Sequence, residues 1–132
     1  MIEKGMNGKF ETSVSDANTA ETMKSGSLEV FATPALVAAL EAAAVSAVEG
    51  SLSAEETTVG CGISITHAAP SVIGSHITAS ATVIAVNGRQ ISFSVTASDE
   101  GGIIGEGEHT RVIVNKDKFL SKAKGRSEGN VN

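Results

Sequence analysis

Three side chains in this 132-residue chain have the types and spacing for a hydroxyl–imidazole–carboxylate relay: Thr33, Glu41 and His67. Histidine titrates near neutrality and suits a general base. A threonine hydroxyl can attack a carbonyl or position a water, and a carboxylate can orient and stabilise an imidazolium or itself attack a carbonyl to give an anhydride. Thr33 and Glu41 stand eight residues apart, which on a helix is about 12 Å along the axis. Helical side chains lean towards the N-terminus, so the carboxylate reaches back towards the hydroxyl. One imidazole fits between them, and a Thr–His–Glu relay is geometrically open. Each residue also has a plainer reading. Thr33 is a good N-cap, Glu41 can be a solvated edge acid, and His67 can be a hydrogen-bonded residue closing a strand before a turn.

The elements that must position these groups are legible in outline. Thr33 reads as the N-cap and Pro34 as the first residue of a helix running through Ala35–Glu49, with Gly50 as a natural stop. Residues three and four positions from Glu41 are Val37, Ala38, Ala44 and Val45, so the acid leaves an apolar surface. Before the helix, Lys9–Val14 reads as a strand and Asp16–Leu28 as a loop. After it, Thr57–Ala68 is a β-branched run ending near His67 and broken by Gly60 and Gly62. His76–Val86 alternates, with Ile77, Ala79, Ala81, Val83 and Ala85 on one face. Asn87-Gly88 marks a two-residue hairpin. Gln90–Ser98 alternates again with Ile91, Phe93, Val95 and Ala97 inward, and Ile103–Val114 is the last strand. Lys116–Lys124 reads as a closing helix, and 125–132 as a frayed tail outside a single domain spanning 1–124.

One long helix with five strands is an α+β pattern, and an alanine-rich helix lets a curved sheet approach closely. That combination describes a hot-dog fold, one long helix wrapped by a five-stranded antiparallel sheet.

The remaining polar groups carry less. Gly60 and Gly62 flank Cys61 inside a strand, which marks a bulge, close helix packing or a backbone that a ligand approaches. Cys61 has no activating neighbour and reads as a buried thiol. His76 and His109 fall among Thr, Ser and Arg111 and read as solvent-facing. The three histidines form no recognisable metal spacing, and Gly105-Glu106-Gly107-Glu108 is no phosphate loop.

Bulk properties narrow the class. Ten Lys and Arg against fifteen Asp and Glu give a net charge of −5, and there is no Trp or Tyr, which argues against a nucleic-acid binder. The single cysteine excludes an internal disulfide and fits a reducing, cytoplasmic setting. The most apolar window, Val30–Val48, is interrupted by Pro34 and Glu41, so no membrane span is expected.

Taken together, Val30-Phe31-Ala32-Thr33, Glu41, Gly60, Thr66-His67-Ala68-Ala69 and Gly107-Glu108-His109-Thr110-Arg111-Val112-Ile113, with Lys118-Phe119 following, resemble the hot-dog thioesterases related to fluoroacetyl-CoA thioesterase. The resemblance runs from about Lys9 to Lys122. It implies Thr33, Glu41 and His67 as catalytic residues, Gly60 as an amide that holds the thioester carbonyl, and Arg111 as a pocket residue. It also implies a homodimer with pockets near the interface. Lys24-Ser25-Gly26-Ser27-Leu28 lacks the aromatic residues that fluoroacetyl-specific members carry there, which points to an ordinary short acyl-CoA. The expected activity is thioester hydrolysis with no metal or redox cofactor. A non-catalytic acyl-CoA-binding module is the alternative, and a hot-dog dehydratase fits less well. Lys116, Lys118, Lys122, Lys124 and Arg126 could meet coenzyme A phosphates or form a solvated face.

Overall fold

In the computed structural model, which describes residues 1–129, the chain forms five strands and three α-helices. These are β1 (Asn7–Ser13), α1 (Ala20–Met23), α2 (Thr33–Val48), β2 (Glu56–His67), β3 (His76–Asn87), β4 (Gln90–Asp99), β5 (Gly102–Asn115) and α3 (Lys116–Ser127). The strands make one antiparallel sheet in the order β1-β3-β4-β5-β2 and curl around α2. This is the expected α+β arrangement of one long helix against five strands.

The core lies between α2 and the concave face of the sheet. Leu36, Ala39, Leu40, Ala43, Ala44, Ala47 and Val48 meet Ile77, Ala79, Ala81 and Val83 of β3 and Ile91, Phe93, Val95 and Ala97 of β4. Small helix residues matter most beside β1. A Cβ on Gly8 would collide with the backbone of Ala43 and Ala47, so glycine on the strand and alanine on the helix set that approach together. By length and composition Thr33–Ser51 passes for a membrane span at mean hydropathy 1.2, but its core-facing residues are packed under the sheet.

Several local expectations are corrected. The helix starts at Thr33 with Ala32 as N-cap, so the Thr33 hydroxyl does not cap it, and Pro34 takes the second helical position. Gly50 does not stop the helix in a left-handed conformation; the chain runs on through a 3-10 turn at Glu49–Ser51. Asp16–Leu28 is not all loop. It holds a 3-10 turn at Asp16–Asn18 and the short α1, capped by Thr19 and closed by Lys24 at φ 60°.

Ala85 is exposed because the β3–β4 register shifts between Val83 and Ala85, turning the following residues to the other face. The same shift moves the hairpin one residue on. Asn87 pairs with Gln90, and Gly88 (φ 65°) and Arg89 make the turn, with glycine first as a type II′ turn prefers. α3 continues past Lys124 to Ser127, because Asn115 caps it by accepting from the Lys118 amide and its cations sit at the favourable end. Residues 130–132 of the expected tail lie outside the described residues.

Candidate active site

The structure gathers the polar residues of interest into two centres on the α2–β2 side of the molecule. At the first, the Thr33 hydroxyl lies 2.8 Å from His67 Nδ1. Thr33 stands in the first turn of α2, and Phe31 and Ala32 just before it are tied down by bonds from their amides to the Ser71 and Asn18 carbonyls. His67 closes β2 opposite Gly105, and the amides of Ala68 and Ala69 both donate to the Ile104 carbonyl, which turns the chain immediately after it. The two side chains therefore project from rigid ends of a helix and a strand.

His67 is half-buried. Burial pushes its pKa below the usual histidine value, and the backbone of Ala69 partly opposes that. Its Nε2 is buried and has no hydrogen-bond partner among the described residues. The pair lines a cleft of about 260 Å³ with Ala20, Ser25, Val30, Phe31 and Ala68-Ala69-Pro70. Ala20 and Ser25 belong to the segment read as a loop. One wall of the cleft thus comes from a region whose sequence reads as polar and turn-rich. A neutral imidazole, a hydroxyl and a small apolar pocket make a site that can accept a proton from water beside an acyl group.

Glu41 is not at that centre. Its carboxylate, 39% exposed, accepts from Arg111 Nη1 at 3.1 Å. Arg111 is buried and spends four of its five N–H groups locally: Nε to Thr58 Oγ1 (2.8 Å), Nη2 to the Thr58 carbonyl (3.0 Å), and Nη1 to both Glu41 and His109 Nε2 (3.1 Å). His109, expected at the surface, is 2% exposed. On β5 the inward residues are Gly105, Gly107, His109 and Arg111, and His109 stacks on the inward Phe93 at a centroid distance of 6.0 Å. The alternation on β5 could have revealed this, but two glycines hide the inward face from any hydrophobic pattern. Burial lowers the His109 pKa most, and Arg111 lowers it further, while the Gly62 carbonyl and Glu41 act in the other direction.

Gly60 belongs to this second centre. The β2–β5 register shifts between Gly60 and Gly62, so a bulge leaves Cys61 out of the ladder and exposed, bonded to Thr110 Oγ1 at 3.3 Å. The expectation of a buried thiol is thereby corrected. A Cβ on Gly60 would sit 2.5 Å from Glu41 Oε2 and 3.3 Å from Arg111 Nη1, so glycine is what admits the carboxylate. Gly60→Ala is expected to leave the fold intact, because a side-chain end can move aside. It should lower kcat by about 10²-fold through a displacement of the carboxylate on the order of 1 Å. Steady-state kinetics beside a thermal melt checks this; an unchanged kcat would remove Glu41 from the chemistry.

The two centres share elements without touching. His67 is seven residues along β2 from Gly60, on the order of 20 Å. A larger concavity, about 760 Å³, lies at the far end of β2 and is lined by Arg89, Lys118, Phe119 and Lys122, together with Glu55 and Glu56. It contains none of the proposed chemistry. Of the basic run, Lys118 and Lys122 line it. Among the described residues no three His, Cys, Asp or Glu side chains are grouped to hold a metal ion.

Comparison with known proteins places this geometry. The pattern of the fluoroacetyl-CoA-specific thioesterase (FlK) family matches residues 14–117. A Streptantibioticus cattleyicolor protein described as fluoroacetyl-CoA thioesterase is 36% identical over 96 residues, spanning 73% of this chain and 69% of that protein. A crystal structure of the thioesterase FlK superposes with a TM-score of 0.89 at 29% identity, covering 94% of this chain and 96% of that one. A Thermus thermophilus protein described as a thioesterase superfamily member superposes at 0.87 with 27% identity, covering 98% of each chain. The chain therefore belongs to the fluoroacetyl-CoA-specific thioesterase family and is a thioester hydrolase built on the hot-dog fold.

Proposed function

We propose that this protein hydrolyses short-chain acyl-CoA thioesters to a carboxylic acid and free coenzyme A, with Thr33 and His67 at the reacting carbonyl. The observation that carries this reading is the 2.8 Å Thr33–His67 contact beside a small cleft, with the second imidazole nitrogen buried and unpartnered among the described residues. His67 takes a proton from the attacking group, which adds to the thioester carbon. The C–S bond of the tetrahedral intermediate then breaks, and the imidazolium returns the proton to the leaving thiolate. Thr33 serves either as the attacking group, giving an acyl-enzyme that water cleaves, or as the group that holds the water. Gly60 supplies an amide for the oxyanion, and Glu41, aimed by Arg111, stabilises the imidazolium.

These roles need the two centres to meet, and the free edge of the sheet offers a way. From Thr57 to Thr66, β2 carries no charged residue and has β5 on one side only, whereas the other edge strand, β1, bears Lys9 and Glu11. Unguarded edges invite pairing. Two copies of β2 paired antiparallel about a two-fold axis near Ile63-Ser64 would set Gly60 of one chain opposite His67 of its partner. We therefore read the active unit as a homodimer with shared sites, and the setting as cytoplasmic, where exposed Cys61 stays reduced. The acidic net charge argues against nucleic acid as a partner, and we expect no membrane partner either.

A single assay tests this reading: thiol release from acetyl-, butyryl- and hexanoyl-CoA by the native chain and by a refolded mixture of His67→Ala and Glu41→Ala. The native chain should turn over at least one substrate. Two inactive variants should regain about a quarter of native activity on mixing, because half the dimers are mixed and each holds one intact site. Saturable coenzyme A binding with no turnover on any thioester would instead mark a binding module. A mixture that stays inactive would place the whole site within one chain.

A further inference from the structure

The mechanism above leaves His109 without a task, although it is nearly fully buried among charged groups. Its two contacts fix its state independently. Nδ1 lies 2.7 Å from the Gly62 carbonyl, which only accepts, so Nδ1 carries the hydrogen. Nε2 lies 3.1 Å from Arg111 Nη1, which only donates, so Nε2 presents a lone pair. A guanidinium is planar, and its N–H groups point in fixed directions. With Nε and Nη2 already bound to Thr58, the two hydrogens of Nη1 are shared between His109 Nε2 and Glu41 Oε2. The other His109 bond grips the carbonyl of Gly62 at the bulge that leaves Gly60 against the carboxylate.

We propose that His109 is a positioning residue: held as the neutral Nδ1–H tautomer between the Gly62 carbonyl and Arg111, it is the acceptor that keeps the Arg111 guanidinium turned onto Glu41. It touches no substrate and moves no proton. Protonating it would set a second cation beside Arg111 and abolish the acceptor, so the arrangement works only with a neutral ring. The inference rests on the reading of Glu41 as the carboxylate of the hydrolytic site.

Two substitutions separate its bonds. In His109→Asn the amide can still donate to Gly62 but offers Arg111 no acceptor. In His109→Gln the carbonyl oxygen reaches the position of Nε2 and the Gly62 bond is lost. The expected result is a fall in kcat of at least about 30-fold for His109→Asn at a KM within about twofold of native, with His109→Gln recovering at least a third of native kcat. Equal losses in both variants, tracking their melting temperatures, would reduce His109 to core packing and overturn the proposal. Nitrogen-15 NMR of the native imidazole supplies a readout that needs no turnover and no variant to fold. One protonated Nδ1 and one lone-pair Nε2 are expected; an Nε2–H tautomer or a charged ring overturns the proposal. An inactive native chain that shows the expected tautomer would count against the hydrolytic reading and leave the geometry of Arg111 standing.

Discussion

Replacing His67 with alanine is expected to lower kcat/KM for acyl-CoA hydrolysis by about 10³-fold, the middle of the range for removing a positioned general base. The loss should be chemical and not structural. Among the described residues, the hydrogen-bond partner that His67 leaves behind is the Thr33 hydroxyl, which is exposed and can turn to water. Its other ring nitrogen lacks a partner among the described residues, so deleting it orphans no group there. Stability should change by no more than about 1 kcal/mol. Circular dichroism and a urea titration alongside the kinetics separate the two effects. An activity loss accompanied by unfolding would assign His67 to the scaffold.

The second large effect falls on stability. Arg111→Met keeps most of the side-chain volume and removes the donors that satisfy Thr58 Oγ1, the Thr58 carbonyl, His109 Nε2 and the Glu41 carboxylate. Thr58 and His109 are buried and have no water to turn to, whereas the partly exposed Glu41 recovers some solvation. A loss of about 3 kcal/mol is expected, the range for leaving buried polar groups unpaired. Arg111→Lys should recover only part of it, because a single ammonium cannot span Thr58 and Glu41 together. A urea midpoint unchanged by Arg111→Met would show that the network contributes nothing to the fold.

Legibility in the sequence followed the strength of local patterns. Helix α2 and the alternation of β3 and β4 are legible because each rests on a period, and Thr33 and His67 stand out as candidates because each sits in a short motif. The Thr33–His67 contact itself joins positions 34 apart in the chain, and only residue types and a family resemblance pointed to it. What the sequence does not display depends on bulges and on side chains without a hydrophobic signal. The bulge near Ile84 exposed Ala85 and shifted the hairpin, and the one at Gly60–Gly62 turned Cys61 outward. His109 reads as a surface residue because its inward neighbours on β5 are glycines and an arginine. A relay in which one imidazole bridges Thr33 and Glu41 is not formed within the chain, because Arg111 holds the carboxylate elsewhere.

The measurement that tests the central claim most directly is the pH dependence of kcat/KM for the native chain beside that of the residual activity of His67→Ala. A general base acts only when neutral, so activity is full above the pKa of His67 and falls as pH drops through it. Burial within the chain lowers that pKa and the Glu41 carboxylate that joins it in the shared site acts in the other direction, so the presence of an acid limb in the native profile is the readout. The limb should be missing from the His67→Ala profile. An acid limb of the same midpoint in both proteins would contradict the assignment of His67 as the base.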